Sequence, residues 1–125
     1  MEHVNIAAAR RWFNDVWNDK TPGAVAAHMP DHCVAHTENG SVVGPAAFAE
    51  LHAQFVALMP DIQFTVEAAL AADDLVALRW RAAAHNRRGE PIEIRGSTWH
   101  RYADGVVVES WDFYNLGGLL QKIAG

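Results

Sequence analysis

Apolar positions recur first at helical spacing and then, past the middle of the chain, at every second residue. Over residues 5–19, Ile6, Ala9, Phe13 and Trp17, with Val16, mark one face of an amphipathic helix. Trp12 sits at the edge of that face, and Asn5 is placed to cap the N-terminus. Thr21-Pro22 predicts a second, short helix, with Thr21 as cap and Pro22 at the first helical position, ending near Met29-Pro30. Asp31 to His36 reads as a short strand closed by the turn-forming Glu38-Asn39-Gly40. Gly44-Pro45 opens a third helix with the stripe Phe48, Leu51, Phe55, Leu58 and Met59 and His52 on its flank; Pro60-Asp61 stops it.

After Pro60 the period becomes two. Ile62, Phe64, Val66 and Ala68 alternate with Gln63, Thr65 and Glu67, which predicts a strand. Asp73-Asp74 turns the chain into a strand over Leu75 to His85, and Arg87-Arg88-Gly89-Glu90 turns it again into Pro91 to Tyr102. Asp104-Gly105 is a tight hairpin signal leading to the final strand, which Gly117-Gly118 ends. Leu119 to Ile123 is the length of one more helical turn. Helices first and antiparallel strands after them give an α+β order, in which a curved sheet wraps around three N-terminal helices.

The last strand carries one carboxylate, Asp112, among aromatic residues. Strand alternation puts Ser110, Asp112 and Tyr114 on one side and Glu109, Trp111, Phe113 and Asn115 on the other. Taken over the last three strands, one set is apolar (Val76, Leu78, Trp80, Trp99, Trp111 and Phe113, with Val107) and one is polar (Arg79, Arg81, Thr98, His100, Ser110, Asp112, Tyr114). Two arrangements satisfy this pattern. Either the aromatic set packs on the helices and the charged set meets water, or the aromatic set meets a second subunit and the polar set lines a pocket under the helices.

Length and charge narrow the classes. With 125 residues the chain is expected to be one domain, 1–125. No apolar run approaches the roughly 20 residues that span a bilayer, and the N-terminus lacks a signal-peptide pattern. A single cysteine, Cys33, excludes an internal disulfide and fits a reducing cytoplasm. A net charge of −5 argues against nucleic acid as partner.

The string Arg101-Tyr-Ala-Asp-Gly-Val-Val-Val-Glu-Ser-Trp-Asp112, followed by Leu116-Gly-Gly-Leu-Leu-Gln121, resembles the C-terminal signature of SnoaL-like polyketide cyclases. Val34-Ala-His36, Gly44-Pro45, Met59-Pro-Asp61 and Arg79-Trp80 resemble the same family in order and spacing. It belongs to the nuclear transport factor 2-like superfamily, with ketosteroid isomerases and limonene-epoxide hydrolases. The resemblance implies a cone-shaped, cystatin-like α+β barrel with an apolar pocket and no cofactor or metal. It also implies a homodimer through the convex sheet face (Val76, Leu78, Trp80, Trp99, Trp111, Phe113).

Residue by residue, Trp12, Thr98 and His36 stand where ketosteroid isomerases carry Tyr, Asp and Asp, so that mechanism is not expected. Arg79 and Asp112 match limonene-epoxide hydrolases, but Arg81 replaces their second acid. For a SnoaL-like cyclase, Asp112 matches the acid/base Asp, with His100 or His36 as companion; where many members carry an acid, this chain has Asn115.

The expected site is therefore Asp112, His36, His100 and Arg79 as reacting groups, with Trp12, Phe55, Arg81, Thr98 and Tyr114 around a small apolar carbonyl compound. Epoxide hydrolysis with Arg79 and Asp112, and a non-catalytic ligand-binding or scaffold domain, are the alternatives. Asp112 flanked by Arg79 and Arg81 would stay ionised, whereas burial would raise its pKa into a range useful for acid/base work.

Overall fold

The computed structural model describes residues 2–125. Helix α1 (Val4–Trp12) continues directly into a π-helical segment, Phe13–Asn18. Then come α2 (Ala24–His28), β1 (Val34–Thr37), β2 (Gly40–Val43) and α3 (Gly44–Leu58). The long strands β3 (Gln63–Ala72), β4 (Leu75–His85), β5 (Pro91–Ala103) and β6 (Val106–Tyr114) follow, and α4 (Leu116–Ala124) closes the chain. The strands form one six-stranded sheet in the order β2-β1-β6-β5-β4-β3. Every pairing is antiparallel except that of β1 with β6. This is the α+β architecture the hydrophobic pattern predicts, with the helices on the inner face of a curved, mixed sheet. No helix among the described residues is long and apolar enough to cross a membrane.

Element ends differ locally from the sequence expectation, each for an identifiable reason. His3, not Asn5, caps α1: its Nδ1 accepts the Asn5 N–H at 3.1 Å. Thr21 and Pro22 form a turn ahead of α2, which starts after Gly23 in the left-handed region (φ 79°). Strand β2 was not expected, because Ser41-Val42-Val43 is too short to show a period; it pairs with β1 across the Glu38-Asn39 turn. Helix α4 starts earlier than Leu119, since the Asn115 Oδ1 accepts the Gly118 N–H at 2.9 Å and caps it. A bulge between Val66 and Ala68 shifts the inward alternation of β3, so Ala69 and Ala71 pack on the core and Ala68 is exposed.

The π-helical turn closes with Asp19 N–H donating to Asn14 O, five residues back, at 2.7 Å. The wider turn carries Phe13 and Trp17 onto the sheet side together with Trp12. His52 of α3 fixes it there by donating from Nε2 to Val16 O at 2.8 Å.

Register decides which residues face the helices. Leu78 pairs with Thr98 and Thr98 with Asp112; Val76 pairs with His100 and His100 with Ser110; Trp80 pairs with Gly96 and Gly96 with Tyr114. These rows all point inward. Val76, Leu78 and Trp80 are therefore buried in the core and do not belong to the outer face with Trp99 and Trp111. Val107 is inward as well, because Val108 is an extra residue on β6 opposite the Arg101/Tyr102 step and restarts the alternation.

Gly96 is what lets Trp80 lie flat across β5. A Cβ built there would sit 2.5 Å from the indole Cζ2 and 2.5 Å from the Phe113 carbonyl oxygen. Gly96→Ala is expected to force the ring or the backbone aside and destabilise the fold by about 1–3 kcal/mol, as overpacked cores do. Denaturant unfolding followed by tryptophan fluorescence measures it.

Candidate functional site

Between the inner sheet face and the helices lies a cavity of about 60 Å³. Its wall is chiefly aromatic and aliphatic, with Trp12 and Trp17 from the first helical run, Phe48 and Phe55 from α3, and Phe64 and Trp80 from the sheet. The polar groups come from three strands: Thr37 of β1, Thr98 and His100 of β5, and Ser110, Asp112 and Tyr114 of β6. Among the described residues no lysine or arginine lines it.

Asp112 is oriented by a hydrogen-bond chain with only one direction. The Trp80 Nε1–H can only donate, and it donates to Thr98 Oγ1 at 2.9 Å. The Thr98 hydroxyl then gives its one hydrogen to Asp112 Oδ1 at 2.7 Å. The other carboxylate oxygen, Oδ2, has no protein partner. Because no fully buried side-chain nitrogen or oxygen among the described residues lacks a partner, Oδ2 keeps access to the cavity that Asp112 lines. Asp112 as a whole is half-buried. Burial pushes the Asp112 carboxyl up to about 6; the Thr98 hydrogen bond works against that rise, and the charge of Glu38 adds to it.

His100 is buried, with Nδ1 3.1 Å from the Tyr102 hydroxyl. Its Nε2 has no protein partner and by the same reasoning meets the cavity. Burial, then the charge of His28, pushes His100 down to about 4, so at neutral pH the ring is uncharged. Trp12 packs edge-on against it, ring centroids 6.2 Å apart. Tyr114, whose phenol burial and the neighbouring Asp112 and Glu38 charges push up to about 12, stays protonated.

Three residues expected at the site are elsewhere. Arg79 pairs with Ser97, one residue out of phase with the inward row, and so lies on the outer face. Its side chain is 69% exposed and its Nε sits 3.8 Å from Glu67 Oε1. Arg81 is on that face too, 3.7 Å from Glu67 Oε2. Neither arginine flanks Asp112, which is why burial and not ion pairing governs that carboxyl. His36 pairs with Trp111 and is also outward. Its Nε2 is 2.7 Å from Glu109 Oε2, its Nδ1 is 2.8 Å from Ser41 Oγ, and its ring stacks on Trp111. His36, His100 and Asp112 therefore do not converge on one point. The other expected residues, Trp12, Phe55, Thr98, His100, Asp112 and Tyr114, all line the cavity.

Sequence reasoning missed Trp80 as the first donor in the chain to Asp112. The signal was Gly96: a glycine in mid-strand marks a close approach, here by the indole of the paired residue.

The sequence profile of the SnoaL-like polyketide cyclase family matches residues 7–123. No curated protein matches the sequence. Among solved structures, AclR of Streptomyces galilaeus, a proposed hydroxylase, superposes with a TM-score of 0.82 at 25% identity, over 96% of this chain and 95% of that one. A proposed SnoaL-like polyketide cyclase from Jannaschia sp. CCS1 superposes with a TM-score of 0.87 at 19% identity, over 98% and 92%. IdmH of Streptomyces antibioticus, a proposed polyketide cyclase, gives 0.86 at 18% identity, over 98% and 100%. The last two are too distant to show more than the fold. With the profile match running from α1 into α4, the chain belongs to the SnoaL-like polyketide cyclase family.

Proposed function

We propose that the cavity binds a small apolar carbonyl compound and that Asp112 moves a proton on it without a cofactor. The observation that carries this is the free Oδ2 of a carboxyl poised near pH 6, in an apolar cavity that also holds the unpartnered Nε2 of a neutral histidine. Asp112 and His100 are diagonal neighbours across β5 and β6, a spacing of about 7 Å at Cβ that leaves room for a carbonyl and its α-carbon. Asp112 takes the proton from that carbon, and the C–H electron pair passes to the carbonyl oxygen. The His100 Nδ1–Tyr102 hydroxyl contact accommodates the tautomer with the ring hydrogen on Nε2, and in that tautomer His100 binds the developing oxyanion. The enolate carbon then attacks a second carbonyl, closing a ring, and the alkoxide so formed takes the proton back from Asp112; alternatively the enolate takes that proton back at another carbon.

The outward position of Arg79 removes the basis for epoxide hydrolysis. The non-catalytic scaffold reading is favoured by one feature, the small size of the cavity. At about 60 Å³ it is well below the roughly 150 Å³ that admits a benzene in an engineered cavity. A ligand of one ring fits only as the aromatic wall gives way a little; a polycyclic ligand needs far more.

Asp112→Asn separates the two readings. Catalysis predicts that thermal-shift binding of single-ring ketones is kept while proton exchange at their α-carbons, followed by NMR in D₂O, falls by about 10²-fold or more. Unchanged exchange would overturn the catalytic role. The same variant is expected to be more stable than the parent at pH 8. Asp112 has a folded pKa raised above its unfolded value near 3.9, so its contribution is most favourable below pH 4 and is lost as pH rises through about 6. The gain at pH 8 is at most about 3 kcal/mol and vanishes near pH 4, as measured by urea unfolding at both pH values.

We also propose a homodimer through the outer sheet face. Trp99 is 42% and Phe113 51% exposed there, beside Trp111 and the Arg101 guanidinium 5.7 Å over its ring. A surface of this kind suits an isologous interface. Sedimentation is expected to give a dimer for the parent chain and a monomer for the double variant Trp99→Glu, Phe113→Glu; a monomeric parent would remove the proposal.

A further inference from the structure

The β1–β2 turn ends the outer ladder beside the cavity. Thr37 lines the cavity, and the next residue, Glu38, reaches across to β6, where its Oε1 accepts the Tyr114 N–H at 3.4 Å. Strand β1 pairs with β6 only from Glu109 to Trp111, so this N–H lies beyond the end of that ladder and the glutamate takes the place of a strand partner. Tyr114 is two residues from Asp112 and on its face. The turn thus holds a second carboxylate near the first.

Nothing nearby offsets it. Around Asp112, β5 presents the Thr98 hydroxyl and the uncharged His100, β6 presents the protonated Tyr114 and the Ser110 hydroxyl, and the helical wall presents Trp12, Phe48 and Phe55. The cationic side chains of β4, Arg79 and Arg81, are on the outer face with Glu67.

On the reading that this cavity is a ligand site, we propose that Glu38 is its positioning and specificity-determining residue. Its carboxylate, held at the rim by the β6 backbone, supplies a second negative charge that acts on Asp112 and turns away ligands carrying an anionic group. The effect on Asp112 is in the direction its raised pKa already shows, with Glu38 behind burial as a cause. Glu38 itself is exposed, so water and salt screen the interaction and its size depends on ionic strength.

Glu38→Gln tests charge apart from geometry, because the amide oxygen still accepts the Tyr114 N–H. The Asp112 carboxyl, labelled with ¹³C and assigned by its loss in Asp112→Asn, is titrated by NMR in the unliganded protein. At low salt its midpoint is expected to fall by roughly half a pH unit in Glu38→Gln and further in Glu38→Lys. At about 1 M salt, where the Debye length is ~3 Å, parent and variants should converge.

Binding of acetophenone and benzoate at pH 8 supplies the second readout. Glu38→Gln should strengthen benzoate about 2- to 5-fold relative to acetophenone. An unmoved Asp112 midpoint at low salt, or an unchanged ratio of the two affinities, overturns the proposal. Failure of acetophenone to bind the parent protein would instead overturn the ligand-site reading. The titration needs no ligand and still decides what Glu38 does to Asp112.

Discussion

The one-way hydrogen-bond chain from Trp80 through Thr98 to Asp112 is the constraint on which the site depends. An indole N–H cannot accept, so the threonine hydroxyl between them has no choice about where its proton goes. One carboxylate oxygen is thereby held and the other left for the cavity. The chain also explains an otherwise costly choice of residue, since a glycine in mid-strand gives up both packing and backbone entropy. Here Gly96 leaves the space through which the Trp80 ring reaches Thr98 from the neighbouring strand.

Electrostatics follow from what the cavity leaves out. A buried carboxylate beside an arginine would stay firmly ionised and be a poor base. In this fold the arginines of β4 are one residue out of phase and meet Glu67 in solvent, where such pairs contribute little. Asp112 is left with one neutral donor and an apolar wall, and burial becomes the largest influence on it. The same burial keeps His100 uncharged, so it offers a ring nitrogen and not a cation. Two titratable groups on adjacent strands are pushed in opposite chemical senses by one physical cause, one toward accepting a proton near neutrality and the other away from it.

Much of the fold was legible in the sequence. The switch from period 3.6 to period 2 after Pro60 separates the helical half from the sheet, and the Asp73-Asp74 and Asp104-Gly105 turns mark strand ends within a residue or two. On β6, alternation put Ser110, Asp112 and Tyr114 on one side, and the structure has them there. Alternation within a strand does not say how that strand is phased against its neighbour, however, and a slip of one residue exchanges the faces. That is why the sequence pattern alone groups Val76, Leu78 and Trp80 with Trp99 and Trp111 and sends Arg79, Arg81 and His36 to the cavity. The bulge at Val108 produced the same kind of error for Val107 within a single strand. Gly96 held the missing phase information: a Cβ there would meet the Trp80 indole at 2.5 Å, which puts these two paired residues on one face.

A carboxyl that burial raises by this much stabilises the folded chain less at neutral pH than an amide of the same shape would. The hydrogen bond from Thr98 recovers part of the loss, and nothing else in the cavity recovers the rest. A structural role would be better served by asparagine, which fits the same space and pairs with the same hydroxyl without a charge to bury. The arrangement makes sense if the charge is itself what the cavity exists to present. The outer face supplies the contrast: there Arg101 meets both Asp74 and Glu109, so that opposite charges pair where water reaches them. The sheet pairs charge with charge where it meets water and leaves Asp112 without a countercharge on the cavity side.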